Sequence, residues 1–155
     1  MEINIVLVQP EIAYNAGAVG RLCVALDARL HLIKPLGFVL TERQLRRAGL
    51  DYWQHVKLSL HDSWQEFLTK EQPARCLFGS TRGETTLYDL DFKTGDYLVF
   101  GSESRGLPPE FYTLYREQLF VIPSPGEHAR SHNLSHAVAV AAYEMWRQLQ
   151  IKTNG

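Results

Sequence analysis

Residues 3–8, INIVLV, form a short β-branched run that reads as apolar on both faces. A strand buried on both faces needs other elements packed above and below it, and that requirement narrows the folds open to the chain. Similar runs recur at 29–35 (RLHLIKP, ended by Pro35), 55–60 (HVKLSL), 75–81 (RCLFGST), 96–103 (DYLVFGSE) and 119–123 (LFVIP). Helical patterns lie between them. Residues 15–28 place Val19, Leu22, Cys23 and Leu26 at helical spacing. A short helix over 41–49 starts at Thr41 and stops at Gly49, and one over 62–71 is capped by Asp62 or Ser63. The 108–115 segment opens on prolines, whose missing N–H costs nothing in a first helical turn, and 133–150 form the last helix. This alternation predicts an α/β fold: one parallel sheet covered by helices on both faces, with residues 1–155 as a single domain.

Charge and cysteine usage bound the function. The formal net charge is −1, which excludes a uniformly basic nucleic-acid binder and leaves only local basic patches for RNA. Cys23 and Cys76 sit in apolar runs and read as reduced core residues of a cytoplasmic protein. No apolar run reaches the roughly 20 residues a membrane helix needs, and with Glu2 at the start INIVLV is too short for a signal peptide.

In parallel sheets ligands bind beyond the carboxyl ends of the strands. Three loops there carry unusual residues: QPEIAYNAG after the first strand, GSESRGLPPE near 101–110, and IPSPGEHARSHN after the last. In the first, Asn15 reads as a helix cap and Gly17 as a packing residue, while Arg21, among apolar neighbours, suits a phosphate. In the second, Glu103 and Arg105 flank a turn shaped by Gly106 and Pro108; no G-x-G-x-x-G is present, so a nicotinamide fingerprint is absent. In the third, Ser131 or Asn133 caps the last helix. His128, His132 and His136 stand four apart, but two prolines and a glycine precede His128 and no H-E-x-x-H exists, so no metal site is expected. The last helix carries one stripe of Leu134, Val138, Ala141, Met145 and Leu149, and a second with Ala137, Val140, Tyr143 and Trp146. The second stripe suits either a subunit interface or full burial within one chain.

The three motifs in this order resemble the SPOUT class of RNA methyltransferases, and within it the 2′-O-ribose branch. The N-x-G-x-x-x-R element matches Asn15, Gly17 and Arg21; FGSESRGLP supplies Gly101, Glu103, Gly106 and Leu107; and IP at 122–123 with SHNLSHAVAVAAYE supplies Ser131, Asn133, Leu134, Ser135, Tyr143 and Glu144. The resemblance covers essentially the whole chain and leaves no RNA-binding extension. Together with RRAGLDYW at 46–53 it is similar to the tRNA (cytidine/uridine(34)-2′-O)-methyltransferases. Two departures stand out: His132 replaces an apolar residue, and EIAYNAG lacks the prolines often found before the Asn.

The resemblance implies a C-terminal trefoil knot and a cleft for S-adenosyl-L-methionine lined by Gly79, Gly101, Glu103, Gly106, Ile122, Ser131 and Leu134. It implies methylation of the ribose 2′-OH at tRNA nucleotide 34, cytidine or modified uridine, with leucine tRNAs expected. Catalytic roles fall to Arg21, Glu103, Ser131 and Asn133: Arg21 at the hydroxyl and phosphate, Glu103 orienting Arg21 or substrate, Ser131 and Asn133 binding ribose or cofactor. Contacts to the anticodon stem-loop fall to Asn15, Arg21, Arg46, Arg47 and Arg130, with Arg43 and Lys57 completing a basic rim and Tyr52 and Trp53 stacking bases. A homodimer through the C-terminal helix around Tyr143 and the first helix is implied as well. Readings from other classes are a non-catalytic RNA-binding or ribosome-assembly module, a 2′-O-methyltransferase acting at another RNA position, and a Rossmann-type nucleotide enzyme. The intact Asn15, Arg21, Glu103 and Asn133 oppose the first of these and the missing Gly-rich loop the last.

Overall fold

The computed structural model describes residues 2–41 and 51–155. Seven parallel strands form one sheet: β1 (Asn4–Val8), β2 (Arg29–Ile33), β3 (Lys57–His61), β4 (Arg75–Gly79), β5 (Thr85–Thr86), β6 (Asp96–Phe100) and β7 (Leu119–Val121). Their spatial order is β3-β2-β1-β6-β4-β7-β5. Four α-helices are described: α1 (Ala13–Leu26), α2 (Trp64–Glu71), α3 (Phe111–Leu114) and α4 (Leu134–Asn154). The expected helix over 41–49 lies, apart from Thr41, outside the described residues. The two-residue β5 was not legible in the sequence, because TT at 85–86 carries no periodic pattern.

Alternation along each strand divides the core between two faces. Ile5 and Leu7 of β1, Leu30 and Leu32 of β2, and Leu98 and Phe100 of β6 pack with Val19 and Cys23 of α1 and with Val138, Ala141, Met145 and Leu149 of α4. Val6, Val8, Ile33, Phe78 and Val99 point the other way, to Phe67 of α2 and Phe111 of α3. Each central strand is therefore apolar on both sides, which is why its run lacks a polar face. Both cysteines are free and buried. Among the described residues no helix is long and apolar enough to cross a membrane.

Helix ends follow local and distant signals. Ser63 caps α2, its hydroxyl accepting from Glu66 N–H at 3.0 Å. Asn133 caps α4, its Oδ1 accepting from Ser135 N–H at 2.9 Å and His136 N–H at 3.4 Å, so Asn133 and not Ser131 is the cap. The expected cap of α1 is corrected. Asn15 lies inside that helix and is buried, the N-cap position is Ile12, and no side chain at Ile12 serves it.

The strand order brings a crossing near the C-terminus. β4 and β5 are consecutive in the chain, yet β7 lies between them in the sheet. The 80–84 loop must therefore pass over β7. It does so at Phe120: a Cβ on Gly83 would fall 2.5 Å from the Phe120 carbonyl carbon, so only glycine fits there.

At the opposite end of the sheet, Asp96 opens β6 almost fully buried and accepts from the Arg75 guanidinium and from Lys93 N–H at 2.7 Å. Asp96→Ala leaves Lys93 N–H without its acceptor, while Arg75, partly exposed, keeps Asp91 O. The expected cost is about 1–3 kcal/mol, read as a lowered denaturant midpoint with unchanged m-value.

Candidate active site

The carboxyl ends of β4, β6 and β7 open into one cleft of about 430 Å³. That size lies in the range of small-ligand sites. The cleft sits where the strand order reverses: β1 leads outward to β2 and β3 on one side, while β6, β4 and β7 lie on the other. Gly79, Gly101, Gly106, Ile122, Ser131 and Leu134 all line it, drawn from four separate stretches of chain. Ser80 and Thr81, in a loop to which the sequence analysis gave no role beyond Gly79, line it too.

The glycines are set by close approach. A Cβ on Gly101 would collide with the backbone of Gly106 and Leu107, because Ser102 and Gly106 exchange two backbone hydrogen bonds of 2.9 and 3.0 Å across the turn. Gly106 itself adopts φ +71, in the left-handed region. A Cβ on Gly79 would fall 2.5 Å from the Phe100 ring. Removing these side chains leaves strand-end backbone facing the cleft, the surface a ligand with adenine and amino-acid parts can read by hydrogen bonds.

Two carboxylates lock the first and second motif loops together. Glu103 accepts from Glu11 N–H and Ile12 N–H, both at 2.8 Å, and from Asn15 Nδ2 at 3.2 Å. It stands at the entry of α1, where a negative charge is favoured by the helix dipole. Glu11 answers in the opposite sense, accepting from Ser104 N–H at 3.1 Å and Ser104 Oγ at 2.6 Å. These Ser104 bonds hold the Glu11 carboxyl below its usual pKa. Asn15 extends the network, its Oδ1 accepting from Asn133 Nδ2 at 3.2 Å. Glu103, Asn15 and Asn133, each from a different motif, thus form one continuous chain of hydrogen bonds beside the cleft.

This geometry revises several expected roles. Within one chain Glu103 holds the start of α1 and makes no bond to Arg21 of that chain among the described residues. Asn133 spends its oxygen on α4 and one amide donor on Asn15. Ser131 and Arg130 are exposed on the cleft wall. Arg21 is not among the cleft residues: it is exposed on α1, its guanidinium 5.9 Å from the Tyr52 ring centre. Tyr52 donates to Gly17 O at 2.7 Å, and Trp53 packs into the core against Gly20, so both aromatics serve α1 and are not free platforms for bases. Lys57 pairs with Asp27 at 2.9 Å at the amino end of the sheet, away from the cleft. Arg43, Arg46 and Arg47 lie outside the described residues. Arg82, unmarked in the sequence, stacks 4.2 Å over the ring of the cleft residue Tyr112, and His132, the departure in the third motif, lines the cleft 2.9 Å from Ser124 Oγ.

Residues 2–143 match the model of the SpoU rRNA Methylase family. A tRNA (cytidine(34)-2'-O)-methyltransferase of Burkholderia pseudomallei (strain 1106a) is 47% identical over 149 residues, covering 94% of each chain. A solved structure described as structural insights into the 2-OH methylation of C/U34 on tRNA superposes with a TM-score of 0.87 at 53% identity, covering 96% of this chain and 97% of that one. The SpoU methyltransferase AviRb from Streptomyces viridochromogenes, in complex with AdoMet, shares the fold at a TM-score of 0.81 and 21% identity, over 94% of this chain and 57% of its own. With its fold and nearly its whole length matched, the chain belongs to the SpoU rRNA Methylase family.

Proposed function

We propose that this protein methylates the ribose 2′-OH of nucleotide 34, cytidine or modified uridine, in the anticodon stem-loop of tRNA, using S-adenosyl-L-methionine. One observation carries the reading: the three motif loops converge on a single glycine-lined cleft, in a chain collinear with relatives named for that reaction. The cleft fits the cofactor by size and by its exposed strand-end backbone. Gly79, Gly101, Gly106, Ile122, Ser131 and Leu134 are the residues that hold it. The cofactor supplies an electrophilic methyl on a sulfonium. The protein's task is to fix the ribose oxygen in line with that methyl, and positioning of this kind accounts for much of the rate.

Arg21 is the group for the hydroxyl and its neighbouring phosphate. A guanidinium stays protonated, so it polarises and orients and does not accept the proton. Within one chain Arg21 stands off the cleft, which favours a dimer that returns it to a cleft across the subunit boundary. The surface supports such a pair. Tyr14, at the start of α1, is 80% exposed, and Val140, Tyr143 and Trp146 form an apolar strip on the outer face of α4. α1 and α4 pack together within the chain, so the two patches belong to one side of the molecule.

The C-terminal trefoil knot belongs to the same reading: the 80–84 loop crosses β7 at Phe120, and residues 122–133 continue past it into the cleft wall. Residues 1–155 act as one methyltransferase unit in the cytoplasm, with Arg82, Arg105 and Arg130 near the cleft as local RNA contacts.

Incubation with labelled S-adenosylmethionine and bulk tRNA, followed by mapping of the modified nucleotide, tests the reaction; label absent from position 34 would exclude it. Arg21→Ala is expected to lower methylation by about 10²–10³ with cofactor affinity unchanged in calorimetry. Glu103→Ala should cost about 1.5–3 kcal/mol of stability in all and weaken cofactor binding, seen together in a thermal shift series. Tyr143→Glu places a charge in the apolar strip and is expected to give a monomer by sedimentation, with activity lost and the far-ultraviolet spectrum retained.

A further inference from the structure

On the α2 side of the sheet, three side chains from three elements converge: His31 from β2, His61 from the end of β3 and Glu71 from the last turn of α2. They lie at the β2–β3 edge, and none lines the cleft at the other half of the sheet. His31 pairs in register with Ser59, so His61 is its diagonal neighbour on the same face. The two imidazoles are 0% and 2% exposed, while Glu71 is partly open to solvent.

The distances are those of a ligand set. His31 Nδ1 lies 3.1 Å from His61 Nε2, and Glu71 Oε1 lies 3.8 Å from each of those nitrogens. The point in their plane equidistant from the three atoms is about 2.1 Å from each, the bond length of zinc to imidazole nitrogen and carboxylate oxygen; a tetrahedral ion sits out of that plane and draws Glu71 inward. Packing accounts for the rings, which sit against Phe67 and, for His31, Tyr97. Glu71, also hydrogen-bonded by Tyr97, completes the set at equal distance from the two imidazole nitrogens.

The proton positions agree. His31 Nε2 lies 2.9 Å from Asn4 Oδ1, an acceptor, so that nitrogen carries the proton and Nδ1 turns its lone pair inward. A hydrogen bond on the far ring nitrogen is the usual orienting partner of a metal-bound histidine. Without metal, His61 Nε2 then donates to His31 Nδ1, and His61 Nδ1 is a buried nitrogen with no partner among the described residues. On binding, the His61 proton moves from Nε2 to Nδ1 and both rings tilt toward the shared centre. One N–H···N bond is exchanged for metal–ligand bonds with no net proton released. Nδ1 lacks a partner in either state, so it does not oppose the exchange.

We propose that His31, His61 and Glu71 bind one divalent transition-metal ion of the zinc class, with water in the fourth position on the open side of Glu71. Two imidazoles and a single carboxylate select against magnesium and calcium, which require oxygen-rich shells. The ion ties the edge strand β3 and helix α2 to β2.

The test uses the full-length protein, stripped with a chelator and titrated with zinc(II) or cobalt(II) against a chromophoric competitor. One ion per chain, a raised Tm and the visible absorption of tetrahedral cobalt(II) are expected. Glu71→Gln, at a half-exposed helix end, retains the fold by circular dichroism and lowers affinity at least tenfold; His61→Ala abolishes uptake. A combined His128→Ala, His132→Ala, His136→Ala variant binds as the parent does. No stoichiometric uptake by the parent, uptake unchanged in folded Glu71→Gln, or uptake lost only in the triple variant would overturn the site.

Discussion

The crossed pair of carboxylates, Glu103 on the backbone of Glu11 and Ile12 and Glu11 on Ser104, is the contact on which the cleft depends. It joins the loop after β1 to the loop after β6, two segments about ninety residues apart in the chain. Each carboxylate meets backbone N–H donors that no secondary structure would otherwise satisfy, so release of either exposes orphaned groups on both loops. Through Asn15 the same network reaches Asn133 and the start of α4. The segment ARSHN at 129–133 runs directly into the alanine- and valine-rich α4, and its asparagine caps that helix on one side and ties it to the motif loops on the other.

A second constraint is steric. The cleft exists because backbone runs against backbone, at Gly101 against Gly106 and at Gly83 against Phe120. A side chain at either position would push apart segments that must touch. The 80–84 crossing over β7 is a direct outcome of strand order, since consecutive strands β4 and β5 are separated by a strand that comes later in the chain. No periodicity in residues 75–86 carries that information.

The two faces of the sheet divide the labour. The face covered by α1 and α4 is almost wholly aliphatic and aromatic, and it supports the helix whose outer strip of Val140, Tyr143 and Trp146 stays exposed. The face under α2 and α3 holds the buried polar groups Asn4, His31 and His61 amid rings of Phe67, Tyr97 and Trp64. Buried polar groups persist where they find partners; Asn4 and His31 pair with each other and His31 with His61, while His61 Nδ1 has no partner among the described residues.

By itself the sequence determined the parallel α/β architecture and the placement of the three motif loops at one end of it. Doubly apolar strands admit few layered solutions, and ligand loops in those solutions follow strand ends. It also determined that α4 is capped by Ser131 or Asn133, and the inward stripe of α4, because both are local, set within a few residues; the structure chose Asn133. Tertiary structure alone decided the rest. Asn15, read as a cap, became an interior link once a carboxylate from residue 103 held the helix start. Arg21 turned away from the cleft of its own chain, because its place depends on the rotation of α1 about its axis and not on its spacing from Asn15. His31, His61 and Glu71 were unremarkable in the chain and became neighbours only through the register of β2 with β3 and the docking of α2. Interactions between distant segments leave no periodic trace, since each partner is chosen by a surface that exists only after folding.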